Sequence, residues 1–175
     1  MSWFDIIFEV IDMRSFSNLW YWIALAVAWS TASHWVLGIP YDMVLRARRR
    51  GGQAMTDLED MARINTNRIL LIGSVAGLWM IAIASAILTT LGILGFGYRV
   101  EFAQAVFLIA FPMSFVGLLS ISSASLIRAE ESRGDQLCRR LVRHRFWTQF
   151  IGMLAIFVTA MWGMYKNVYV GPFGN

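Results

Sequence analysis

Residues 69–98 read ILLIGSVAGLWMIAIASAILTTLGILGFGY and hold no Asp, Glu, Lys or Arg over 30 positions. A helix needs about 20 apolar residues to cross a hydrocarbon core roughly 30 Å thick. Backbone groups in lipid must be paired inside the segment, so a single helical crossing is the economical reading. The apolar run does not alternate, which excludes a barrel strand. Three further charge-free stretches flank it, at 15–41, 102–127 and 146–165, with 27, 26 and 20 residues. Each is long enough to cross once and none is long enough to cross twice. The expected architecture is all-α: a polytopic bundle of four transmembrane helices forming a single membrane domain over 1–175.

Composition agrees. Of 175 residues, 58% are hydrophobic and 15% charged, against roughly 45–50% and about 25% in soluble domains. That balance excludes a disordered chain and argues against a soluble globule. The single cysteine, Cys138, allows no disulfide within the chain and no cysteine-built zinc or iron–sulfur site. The first residues, Met1 to Asp5, carry an acid where a secretory signal carries bases, so no cleaved signal is expected.

The arginines set the expected orientation. Segment 42–68 holds Arg46, Arg48, Arg49, Arg50, Arg63 and Arg68, and segment 128–145 holds Arg128, Arg133, Arg139, Arg140, Arg143 and Arg145. These are 12 of the 15 basic residues. The positive-inside rule places both segments, read as loops, in the cytoplasm and both termini in the periplasm. Trp20, Tyr21, Trp22, Trp35, Trp147, Trp162 and Tyr165 fall near stretch ends, where aromatic rings favour the headgroup level. Trp29 and Trp79 fall near mid-stretch and read as packing or lipid contact, with a wall for a planar cofactor as the sharper alternative.

Residues 1–14 include Asp5, Glu9 and Asp12 on one helical face, opposite Trp3, Phe4, Ile7, Phe8 and Ile11. This predicts an amphipathic helix in the membrane interface; a partner-docking helix is the alternative. Pro40 favours an end to the first crossing just before it. Gly51 and Gly52 form a break, and Thr56-Asp57-Leu58-Glu59 has capping-box spacing for a helix running into the second crossing. Segment 128–145 is helix-compatible, with Gly134 as a break. Pro112 predicts a kink in the third crossing.

Small residues four apart permit close helix approach in lipid. They occur at Gly73 and Gly77, and at Ala155, Thr159 and Gly163, which are the candidate helix-packing positions. Arg46, Arg48, Arg49, Arg50, Arg139, Arg140 and Arg143 are candidate contacts for anionic lipid or a partner protein. Nucleic acid is not an expected partner, because stacking aromatics are missing from the arginine cluster.

No charge lies deep in any crossing, unlike the usual proton relay or ion-coupled carrier. No HExxH pair, phosphate-binding loop or GxSxG elbow is present, so catalysis is not expected. His34 and His144 lie near the same arginine-rich face, an arrangement that permits bis-histidine haem ligation. The plainer readings are a hydrogen bond from His34 to Ser30 and headgroup contact for His144. No cofactor or metal is otherwise predicted.

Three stretches, IDMRSFSNLWYWIALA, SHWVLGIPYDMVLRARRRGG and FVTAMWGMYKN, resemble a family of small four-span inner-membrane proteins of alphaproteobacteria, especially the Rhodobacter group. Some members bear a label linking them to an iron–sulfur assembly complex. The resemblance implies a bacterial inner membrane and brings no catalytic residues. Together the readings favour a non-enzymatic accessory, assembly or regulatory subunit of a larger membrane complex, binding other subunits or itself. A homo-oligomeric channel or small-solute facilitator is the first alternative, and a haem- or quinone-linked redox protein the second.

Overall fold

The computed structural model describes residues 15–169; the expected helix over 1–14 lies outside these residues. A short 3-10 turn at Ser15–Ser17 leads into α1 (Leu19–His34). Asn18 caps α1, its side-chain oxygen accepting from the Trp20 amide at 3.0 Å and satisfying one of the free donors at a helix start. A two-stranded hairpin follows, β1 (Trp35–Val36) and β2 (Ile39–Pro40), with Trp35 opposite Pro40 and Val36 opposite Ile39. Then come α2 (Tyr41–Arg50), α3 (Gly52–Gly92), a π-helical turn at Ile93–Gly97, α4 (Glu101–Ala129) and α5 (Gly134–Tyr169). Three helices are long and apolar enough to cross a membrane: α3 with its π turn, α4 and α5. They point to a membrane protein.

The charge-free stretch 15–41 is not one helix. α1 stops at His34 because the chain reverses through Leu37 and Gly38, whose φ values of 54° and 75° are the paired positive angles of a tight hairpin turn. Glycine takes such an angle freely, and leucine does so at a cost. Leu37 is held there by burial among Val36, Ile39 and Val44. Gly38 is pinned from outside as well, its carbonyl accepting from Asn65 Nδ2 on α3 at 3.1 Å.

Segments 42–68 and 128–145, placed between crossings by their charge and expected to be helical from Thr56 and helix-compatible over 128–145, are largely helical. α3 begins at Gly52, ahead of the expected start at Thr56, whose hydroxyl is inside the helix and faces the Gly52 carbonyl at 3.5 Å. The positive φ of Gly51 and Gly52 allows the chain to turn between α2 and α3. α3 is 41 residues long, about 60 Å at 1.5 Å per residue, twice the thickness of a hydrocarbon core. α5 has 36 residues and also outruns the bilayer. α4 continues past Pro112 without interruption.

The extra lengths build the larger core of the molecule. Val36, Leu37, Ile39, Val44, Ala47, Leu58, Ala62, Ile127, Leu137, Cys138 and Leu141 form one buried cluster. It joins the hairpin, α2, the first turns of α3, the end of α4 and the start of α5. Val44 and Ala47 are three apart and Leu137 and Leu141 four apart, so each helix presents one apolar stripe inward, and α2 turns its arginines outward. We refer to this region as the arginine end.

The opposite, Glu101 end is tied by polar contacts. Glu101 Oε1 accepts from the Phe16 amide at 2.9 Å, and Ser17 Oγ donates to Asn167 Oδ1 at 2.8 Å. Gln104 is buried and serves three elements: its Nε2 donates to the Gly95 carbonyl at 2.6 Å and its Oε1 accepts from Trp162 Nε1 at 3.1 Å. The close approach of α4 at Gly95 favours glycine, because a Cβ there would lie 3.0 Å from the Gln104 backbone nitrogen, which would have to give by a few tenths of an ångström.

Candidate functional site

Three surfaces emerge from this framework: a closed seam between α1 and α5, an open face on α3, and a basic crease between α4 and α5. The seam is built on small residues. Trp29 is 4% exposed, and its ring lies over Gly152 so closely that a Cβ at that glycine would sit 2.6 Å from Cε3. Gly163 likewise faces Trp22 and Phe16, at 3.4 and 3.5 Å from an added Cβ. Ala155 and Thr159 are buried between them. Phe16 at one end and Ser33 at the other complete the contact, Ser33 offering its carbonyl to Arg145 Nε at 3.1 Å. Gly152 extends the small-residue stripe of α5 and was not among the sequence candidates. Its signal was present, three positions before Ala155.

Gly73 and Gly77 are placed differently. Nothing lies within 4 Å of a Cβ added to either. Around them Val75, Leu78 and Trp79 are 76, 82 and 72% exposed. The apolar middle of α3 contributes no buried residue to the fold. α3 packs chiefly on α4, near the arginine end through Ala62 and Ile127, and near the Glu101 end through Gly92 and Phe107.

The arginine candidates divide. Arg46 pairs with Asp42 at 3.1 Å on the exposed side of α2, an arrangement worth little in water. Arg140 pairs with Glu130 and is largely enclosed. Arg48, Arg49, Arg50, Arg139 and Arg143 are exposed and enter no ion pair among the described residues. Arg145, not a candidate from the sequence, lays its guanidinium 3.7 Å over the Tyr41 ring, a cation–π contact that locks the hairpin exit onto α5.

The two histidines face different surroundings. His144 is buried, with Nδ1 at 3.1 Å from Ser123 Oγ on α4. His34 is exposed and meets the edge of Trp35 at a centroid distance of 5.8 Å. No hydrogen bond or ring contact links the two imidazoles. Among the described residues no three His, Cys, Asp or Glu side chains gather at metal-binding distance.

Hollows are formed at the arginine end. One of about 480 Å³ lies between α3, α4 and the start of α5, with Glu59, Arg63, Thr66, Arg128, Glu131 and Ser132 on its walls. Its charges are mixed, and Glu59 is already used, accepting from the Gly134 amide at 2.7 Å. Another, about 260 Å³, is the crease between α4 and α5 beside His144. Cys138 is enclosed in the adjoining core, and burial pushes its thiol above the ordinary range, which disfavours the reactive thiolate. Comparison with protein-family models, curated proteins and solved structures finds no match to this chain.

Proposed function

We propose that the chain is a non-enzymatic accessory or assembly subunit of a larger complex in a bacterial inner membrane, and that the middle of α3 is its partner surface. The observation carrying this reading is the open apolar face around Gly73 and Gly77, with nothing of the chain's own within 4 Å of either added Cβ. Glycines four apart let a second backbone approach closely, and in lipid such close packing rather than hydrophobic burial drives helix association. The same chain uses small residues for that purpose at Gly152 and Gly163, where its own α1 supplies the rings.

The proposed topology has four crossings, both termini in the periplasm, and the arginine end in the cytoplasm. α1 is only 16 residues, about 24 Å. Its support as a fourth crossing is that Phe16 bonds at the Glu101 end while Ser33 bonds at the arginine end, beside α5 throughout. The concentration of arginines at one end supports the orientation.

The test is the native mass of the protein extracted gently from its own membranes. The reading expects a defined assembly containing other chains, dissociated when Gly73 and Gly77 are both replaced by leucine. A simple multiple of 19.9 kDa would replace it with self-association, and a lone chain unaffected by the substitutions would end it.

A further inference from the structure

We propose that the crease between α4 and α5 at the arginine end binds an acidic phospholipid, with Arg140 and Arg143 holding its phosphate and Leu119 and Trp147 receiving an acyl chain. The crease encloses about 260 Å³ between Leu119, Ser122, Ser123 and Leu126 of α4 and Arg140, Arg143, His144 and Trp147 of α5. A second hollow of about 250 Å³, lined by Gln136, Arg139, Arg140 and Arg143, adjoins it. The shared walls are Arg140 and Arg143, so the two hollows meet at a pair of guanidinium groups.

The chemistry is graded along the helices. Arg139, Arg140 and Arg143 stand on the charged turns of α5. Trp147 lies one turn further from the arginine end, where the apolar stretch 146–165 begins, and Leu119 lies correspondingly deeper on α4. That order matches a phospholipid, with its anion at the interface and its chain in the core. Glu130 engages Arg140 and also accepts from Gln136 Nε2 at 3.1 Å, offsetting one of the three arginine charges. Arg143 is left without an ion pair. Arg140 Nε is buried and has no hydrogen-bond partner, a donor on the enclosed guanidinium that the protein itself leaves unanswered. Guanidinium groups match phosphate oxygens in geometry and charge, and Ser122 adds a hydroxyl on the facing wall. His144 is turned to Ser123 and fixes the joint between the helices, while Trp147, half exposed, places an amphipathic ring at headgroup depth.

Trp147 also reports on the site. The full-length protein is reconstituted in phosphatidylcholine vesicles and titrated with brominated phosphatidylglycerol or brominated phosphatidylcholine. The Trp147 signal is the difference between the wild type and Trp147→Phe. The acidic lipid is expected to quench Trp147 at lower mole fraction than the zwitterionic one. Arg143→Gln should reduce that preference about fivefold, the weight of one basic charge near a lipid surface. Arg143→Lys should retain most of it, and Arg49→Gln on α2 should retain all of it. Equal quenching by the two lipids, or an undiminished preference in Arg143→Gln, overturns the proposal. Relief of quenching by excess inorganic phosphate also overturns it, because it would assign the crease to a free anion. Arg143 is exposed and outside any ion pair, so its replacement leaves the helix contact intact.

Discussion

Replacing Gly152 by alanine tests the α1–α5 seam with a single methyl group. An added Cβ would lie 2.6, 3.0 and 3.2 Å from three atoms of the Trp29 ring, against an optimum of about 3.5–4.0 Å between carbons. The ring cannot swing into solvent, being 4% exposed and packed with Leu25 and Ala155. Relief therefore requires α1 to shift on α5. Overpacking of this kind costs about 1–3 kcal/mol. Alanine is also the better helix former by about 1 kcal/mol, but Gly77→Ala on α3 carries the same gain with open space around it. The comparison cancels propensity. Gly152→Ala should be less stable than Gly77→Ala by about 1–3 kcal/mol, roughly 5-fold to 150-fold in the unfolding equilibrium. Reversible unfolding in mixed micelles, followed by circular dichroism, measures the difference. Trp29→Phe, with its smaller ring, should recover part of the loss in the double variant. Equal stability of the two alanine variants would refute the seam as described.

Three other expectations follow from the packing. Gln104→Leu removes the partner of Trp162 Nε1 and the Gly95 carbonyl together, and should cost about 1–3 kcal/mol, read in the same unfolding assay; an unchanged midpoint would show that this junction contributes nothing. Leu58→Ala empties a fully buried position in the arginine-end core and should destabilise the protein by about 2–5 kcal/mol, with the loss seen as early proteolysis near Gly51. Cys138, its thiol raised by burial, should react slowly with a maleimide at neutral pH, gain rate only as pH rises past the ordinary thiol range, and react at once in the unfolded chain; fast labelling of the folded protein would contradict its burial.

The long helices were legible because charge is excluded from hydrocarbon, so 69–98, 102–127 and 146–165 stand out in any reading of the sequence. The helical arginine end was less so. Val44, Ala47, Leu58 and Ala62 are isolated apolar positions among charges, and their partners Ile127, Leu137 and Leu141 lie far along the chain. The local helical spacing was visible, but the core it joins depends on long-range pairing. The hairpin was hidden in an apolar stretch, its only mark being Gly38 two residues before Pro40. Counting charges also concealed Gln104, a lone amide in an otherwise apolar run whose value comes from Gly95 and Trp162. Among the candidate packing residues, Ala155, Thr159 and Gly163 lie buried against α1, whereas Gly73 and Gly77, of the same spacing, face open space. Spacing alone does not distinguish a seam filled from within from a surface left for another molecule.

The most direct test of the partner surface is a photo-crosslinking residue at Leu78, activated in intact cells of the source organism, with buried Leu25 as the control position. The account predicts a discrete adduct with one other polypeptide at Leu78, lost when Gly73 and Gly77 carry leucine, and none at Leu25. Adducts with lipid alone at Leu78 would contradict it.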